Sequence, residues 1–274
     1  MPNPITQIQI PKLGIILLIF VIVPIVSCGG ESGVSLRVFA ASSLTNAVST
    51  IAREFEADYP GVTLNVDFGG SQRLRSQIEF GAKADVFASA DHFQTDALVA
   101  ADLIYGQPVN FTSNNLVVIA TLNGPVEEIS DLANPGIRVV LAHSGVPVGG
   151  YSRQMLGNLA ADNSLGLGLG FKDEVLGNLV SEEPNVRFVA QKVALQEVDA
   201  GIVYQTDVAA AQMIGDIKVI TIPRSANVRA EYPMAVLRET SNLEIAQSFL
   251  QFVLSEKGQR LLIEHGFTSP LSIK

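Results

Sequence analysis

From Leu36 onward, short apolar runs alternate with segments whose apolar positions recur at helical spacing. LRVFAA (36–41) reads as a strand, and the segment behind it carries Leu44, Val48, Ile51 and Phe55 on one helical face. Tyr59-Pro60-Gly61 breaks that helix. VTLNVDF (62–68) alternates as a second strand, and Gly69-Gly70-Ser71 opens a helix through Leu74 and Ile78. DVFAS (85–89) is a third strand, followed by a helix from Asp91 to about Leu103. These βα repeats predict a parallel, doubly wound sheet.

NLVVIA (115–120) begins a second group of units. It contains the strand RVVLA (138–142), the glycine-rich turn SGVPVGG and a helix from Tyr151. A further helix spans about Val186 to Glu197, with Val189, Val193 and Ala194 on one face, and the strands GIVY (201–204) and IKVITI (217–222) follow. YPMAVL (232–237) is a strand, and helices run from about Leu243 to Glu264. Two groups of units predict two lobes with a cleft between them. Lobe one takes 34–114 plus 232–274 and lobe two 115–231, joined by two crossing strands.

The N-terminus follows a different rule. Leu13 to Val26 is almost wholly apolar, preceded by Lys12 and broken by Pro24. That is short for a membrane span, which needs about 20 residues, but suits a signal-peptide h-region. It ends in Ile25-Val26-Ser27-Cys28. Cys28 is the only cysteine of the 274 residues, so no intramolecular disulfide forms. Residues 1–28 thus resemble a bacterial lipoprotein signal whose cysteine is lipidated, and 29–35 read as a short tether. A plain secretory peptide with an incidental cysteine is the alternative.

Apolar residues make up 47% of the chain and charged residues 16%, a globular composition. The net charge of −9 argues against nucleic acid as a partner. It also means that an anion would have to be held by local dipoles.

Such dipoles are available. In open α/β sheets ligands sit beyond the carboxyl ends of strands. Four places fall there: Ser43 in VFAASSLTNA, Ser71 in GGSQ, Val148 with Gly149 and Gly150 in SGVPVGG, and Tyr204 in GIVY. Each supplies hydroxyl or backbone N–H donors, and none of these stretches contains Asp or Glu. A donor-only site suits a proton-free oxyanion and penalises monohydrogen phosphate, whose O–H would be left unpaired. The bland alternative is that each serine is only a helix N-cap.

Read together, VFAASSLTNA, GGSQRLRSQIEFGAKADVFASAD, NNLVVIA, SGVPVGGY, PNVR, DAGIVYQTD, EYPMAV and GQRLLIEHGF resemble the periplasmic molybdate-binding protein of ABC importers. The similarity runs in order over about residues 36–267. It implies a two-lobed type II binding protein fold, each lobe a mostly parallel sheet flanked by helices, closing over molybdate or tungstate. It implies no cofactor, and molybdenum met only as a bound oxyanion without side-chain coordination. By that resemblance Ser43, Ser71 and Tyr204 act through their hydroxyls, and Val148 and Val186 through their N–H groups. The implied partners are an ABC permease and its ATPase, with a monomeric, lipid-anchored, extracytoplasmic receptor. Gly69 and Gly70 replace the Ala or Ser frequent in relatives, and Arg73 is read as facing solvent.

Sulfate is the competing guest, since it is also doubly charged and proton-free. A serine hydrolase would need a base beside its nucleophile; His143 lies near the 144–150 turn, but no G-x-S-x-G elbow accompanies it. His92 and His265 read as surface helix residues, and three scattered histidines make no metal cluster. Asp85, Asp91 and Asp207 read as capping or packing residues, and the glycine-rich stretch 162–171 is assigned no role.

Overall fold

The computed structural model describes Met1 and residues 33–269. The signal segment and Cys28 lie outside the described residues. Among the described residues, no helix is long and apolar enough to cross a membrane.

The first lobe opens with β1 (Val34–Ala41), α1 (Thr45–Asp58), β2 (Val62–Gly69), α2 (Ser71–Glu79), β3 (Val86–Ala88) and α3 (His92–Ala100). β1 takes in Val34 and Ser35, the last two positions of the stretch read as a tether. β1 pairs in parallel with β2 on one side and β3 on the other. Leu36, Val38 and Ala40 are fully buried, as expected of a parallel strand covered on both faces. α1 turns Val48, Ile51 and Phe55 inward, and Leu44 just before it is buried with them. Phe55 meets Phe249 and Phe252 edge-on, with ring centroids 5.3 and 5.4 Å apart. Those partners lie on α8 (Leu243–Leu254), which with α9 (Glu256–Glu264) returns the chain's end to this lobe.

β4 (Ile104–Thr121) is longer than the apolar run NLVVIA indicates. Its first part, IYGQPVN, is punctuated by Gly106 and Pro108, and its register against β9 (Arg229–Leu237) jumps between Tyr105 and Val109. The bulge hides a strand from a reading based on alternation. Residues 104–115 pair antiparallel with β9 in the first sheet. Residues 116–121 pair antiparallel with β7 (Ala200–Tyr204) and β8 (Ile217–Thr221) in the second. The shared middle of the molecule is therefore antiparallel, formed by the two strands that cross between the lobes, whereas β1, β2 and β3 pair in parallel as expected of a mostly parallel lobe.

The second lobe adds β5 (Val139–Ala142), α4 (Pro147–Ala161), α5 (Phe171–Gly177), β6 (Leu179–Glu183), α6 (Val186–Ala194) and α7 (Val208–Gln212). β5 pairs in parallel with β6 and β7. The full strand order is β2-β1-β3-β9-β4-β7-β5-β6, with β8 beside β4. α4 starts at Pro147 and not at Tyr151, because proline is pre-set for the first helical position. The expected turn SGVPVGG is thus partly the helix's opening. β6 and α5 were not foreseen. β6 carries Glu182 and Glu183 at the sheet edge and shows no apolar run.

Candidate functional site

At the carboxyl end of β1 the chain makes a single 3-10 turn, Ser42–Leu44, before α1. Neither serine caps a helix: the N-cap positions are Ala41 and Leu44, without side-chain cap bonds. The Ser43 hydroxyl instead lies 3.0 Å from the phenol oxygen of Tyr232. At the end of β2, Ser71 opens α2, and its Oγ accepts from the Ala90 N–H at 3.1 Å. That bond uses a lone pair and leaves the Ser71 hydrogen free to donate.

Across the cleft, β5 runs into α4. Gly149 lies so close to the carbonyls of Ala142 and His143 that a Cβ would stand 2.5 and 2.1 Å from their oxygens. Only glycine lets the helix start this near the strand end. Val148 is the second residue of α4, where an N–H has no acceptor within the helix. α6 is capped by Asn185, whose Oδ1 accepts from Arg187 and Phe188 N–H. The cap passes over the Val186 amide, which takes no acceptor among the described residues. Tyr204, at the end of β7, is 1% exposed, and its hydroxyl has no hydrogen-bond partner among the described residues. Burial, with Tyr232, Tyr151, Asp91 and Asp207 nearby, holds its pKa well above the usual tyrosine value. It remains a neutral donor.

Ser43, Ser71, Val148, Val186 and Tyr204 all line one cavity, completed by Ala41, Ser42, Gly69, Gly70, Ala90, Val146 and Pro147. Among the described residues no Asp, Glu, Lys, Arg or His lines it. Its volume is about 10 Å³, close to the space one water-sized sphere needs. Contacts cross the cleft around it. Gln72 Nε2 donates to Pro184 O at 3.0 Å, and Gln94 Nε2 lies 3.5 Å from Gly145 O. Arg187 Nε donates to Ser42 O at 3.2 Å.

The charged groups near the cavity stay behind its wall. Arg73 is exposed and donates to Phe68 O at 3.2 Å. Asp91 caps α3 by accepting from Gln94 N–H at 3.0 Å. Asp85 accepts from Arg37 N–H at 2.7 Å. Asp207 is fully buried, with Oδ1 2.9 Å from Arg187 Nε, and burial pushes its pKa up to about 6 against the pull of Arg187. His143 is exposed and accepts from Gly145 N–H, with no serine as partner. His92 faces Glu231, and His265 lies 3.1 Å from the Thr50 hydroxyl. Among the described residues no three His, Cys, Asp or Glu side chains form a metal-sized group.

Sequence reasoning missed Tyr232 and Gln72. Tyr232 sits 189 positions from the serine it touches, a distance no local motif spans. Gln72 directly follows Ser71, but nothing local indicates Pro184 as its partner.

Comparison with known proteins agrees with this architecture. The chain is 36% identical to a molybdate-binding protein ModA of Mycobacterium bovis over 259 residues, covering 90% of this chain and 93% of that one. It is similar in structure to the substrate-binding domain of a putative molybdenum ABC transporter from Clostridium difficile. There the identity is 29% and the TM-score 0.63, over 86% of this chain and 99% of that one. The sulfate-binding protein SubI of Mycobacterium tuberculosis shares the two-lobed fold at 18% identity with a TM-score of 0.76, covering 87% and 88%. Such proteins bind solutes without a cofactor and are not enzymes, which removes the hydrolase alternative. Residues 36–268 match the profile described as bacterial extracellular solute-binding protein, and the chain belongs to that family.

Proposed function

We propose that the protein is the extracytoplasmic receptor of an ABC importer and captures molybdate, and tungstate with it, between its lobes. One observation carries this reading. Donors from both lobes converge on a single cavity whose described lining has no carboxylate, lysine, arginine or histidine, and one of them, the Tyr204 hydroxyl, is buried without a hydrogen-bond partner among the described residues. The hydroxyls of Ser43, Ser71 and Tyr204 and the N–H groups of Val148 and Val186 hold the anion. The N-termini of α2, α4 and α6 add their partial positive charge, which replaces the cations the site lacks. Charge-assisted bonds contribute about 1.5–3 kcal/mol each, so a few suffice against the net charge of −9.

Monohydrogen phosphate is disfavoured because its proton would meet only donors, at a cost of about 1–3 kcal/mol. Sulfate, equally proton-free, is the competing guest. Lobe one (34–114 plus 232–274) and lobe two (115–231) close on the anion, and the closed form is favoured because the anion bridges both. That form docks as a monomer on a permease with its ATPase. Cys28 carries a lipid that keeps the receptor at the membrane, with 29–33 as tether.

Calorimetric titration of the mature protein with molybdate, tungstate, sulfate and phosphate tests the reading. Molybdate and tungstate should bind tightly and phosphate weakly. Tight phosphate binding overturns the donor-only site, and sulfate binding above molybdate reassigns the guest. Loss of the protein from membranes on Cys28→Ser tests the anchor separately.

A further inference from the structure

A second cavity lies against the back of the first. Its volume is about 320 Å³, and its lining includes Ser43, Asn46 and His265 from one lobe and Arg187, Gln205 and Thr206 from the other. Asn46 and Gln205 are exposed, so this outer cavity meets solvent. Three short stretches part it from the anion cavity. Val186 lines the inner cavity and Arg187 the outer. Tyr204 lines the inner, and Gln205 and Thr206 the outer. Ser42 faces the inner cavity and Ser43 faces both. The wall between them is thus assembled from both lobes, and a hydrogen bond joins its halves. Arg187 Nε carries a single hydrogen and gives it to Ser42 O at 3.2 Å. Asp207 Oδ1, 2.9 Å from the same nitrogen, is the counter-charge.

We propose that Arg187, held by Asp207, is a positioning residue that latches the two lobes behind the guest and slows its release. This rests on the oxyanion reading of the cavity and adds the group that keeps the cleft shut. Arg187 is the second residue of α6 and Asp207 follows β7, so the ion pair lies within the second lobe and does not depend on closure. Ser42 belongs to the first lobe, so the bond to its carbonyl forms only when the lobes meet. A contact made in the closed form alone shifts the population towards that form. The Asp207 side chain is 0% exposed and fixes the arginine in advance. Closure then does not have to order a long flexible arm. Arg187 itself lines only the outer cavity, so it acts on the guest through the wall and not by contact.

The test follows release as well as affinity on the full mature chain at pH 7.5, where Asp207, with a pKa of about 6, is ionised. Bound labelled molybdate is chased with excess unlabelled molybdate, and calorimetry gives the affinities for molybdate and sulfate. Arg187→Met/Asp207→Asn removes the latch without leaving either charge buried alone, and thermal melting without anion checks its fold. Molybdate should leave this variant about tenfold faster and enter it at an unchanged rate, as for the loss of one bond from a charged donor. Both anions should lose affinity by the same factor, at low salt and at high salt alike. Asp207→Asn alone should quicken release by a smaller factor, because the arginine loses its hold. An Arg187 that attracted the anion by charge would behave otherwise. Freeing that charge in Asp207→Asn would tighten binding, and the double variant would bind more slowly with a salt-dependent loss. Either result overturns the latch, as does unchanged release from the folded variants, and each leaves the oxyanion site standing. Should the double variant not fold, Asp207→Asn decides alone. If wild type binds neither anion, the site itself fails and the latch with it.

Discussion

The Gln72 side-chain amide donates to the Pro184 carbonyl at 3.0 Å, and Gly70 lies beneath the same oxygen, where an added Cβ would stand 2.5 Å away. Gln72 belongs to the helix opened by Ser71, and Pro184 precedes by two residues the amide of Val186. One lobe thus grips the other beside the cavity, and glycine sets how closely they meet.

Gly70→Ala should hold the lobes apart, because the nearest clash, at 2.5 Å, is with the Pro184 backbone carbonyl, whereas the Gln72 side-chain end at 2.6 Å can swing away. Anion affinity falls at least tenfold. Small-angle scattering should give the anion-saturated variant a larger radius of gyration than saturated wild type. Equal radii and equal affinities would show that the close approach is dispensable.

Gln72→Ala removes one bond across the cleft that does not touch the guest. A net hydrogen bond contributes about 0.5–1.5 kcal/mol, so titration should show a loss of about two- to tenfold. The loss should be the same for each anion, leaving their order of affinity unchanged. A reordered series would mean that Gln72 contacts the guest.

Tyr204→Phe deletes a hydroxyl that no protein group uses, so the unliganded fold should not lose stability. Binding should weaken by about 1–3 kcal/mol. Ser71→Ala should show a comparable loss together with a lower melting temperature, because Ser71 Oγ also serves Ala90 N–H. A Tyr204→Phe protein that binds as wild type removes Tyr204 from the site.

Asp207 gives a pH signature of defined sign. Its pKa is raised from 3.8 in the unfolded chain to about 6, chiefly by burial. Between those values the folded protein holds a proton that the unfolded chain has released. This carboxyl's contribution to stability is therefore full below about pH 4 and lost as pH rises through 6. The change is on the order of 3 kcal/mol. Relative to wild type, Asp207→Asn should gain stability steadily from pH 4 to pH 7 in thermal melts. A gap that narrows with rising pH contradicts the assignment.

Much of this molecule is legible in its sequence because the relevant signals are local. A strand that ends in small residues and runs into a helix places Ser43, Ser71 and Val148 at strand ends, and the structure gathers them around one cavity with Val186 and Tyr204. What the sequence hides is long-range or irregular. The serine at 43 does not cap, and its partner comes from β9. The bulged half of β4 breaks the alternation that marks a strand. Pro147 did carry a signal for the start of α4, through the preference of proline for a first helical position. Reading SGVPVGG as a turn overlooked it.

The order of strands has a consequence for how the polypeptide is made. β9 lies between β3 and β4 and is the last strand among the described residues. Until Arg229 leaves the ribosome, β3 and β4 have no neighbour between them, and the first sheet exists only as two fragments with open edges. The second sheet, from β4 to β8, has all its strands before that moment. The half that begins the polypeptide is thus the half completed last, and a chain cut short before residue 229 retains both open edges.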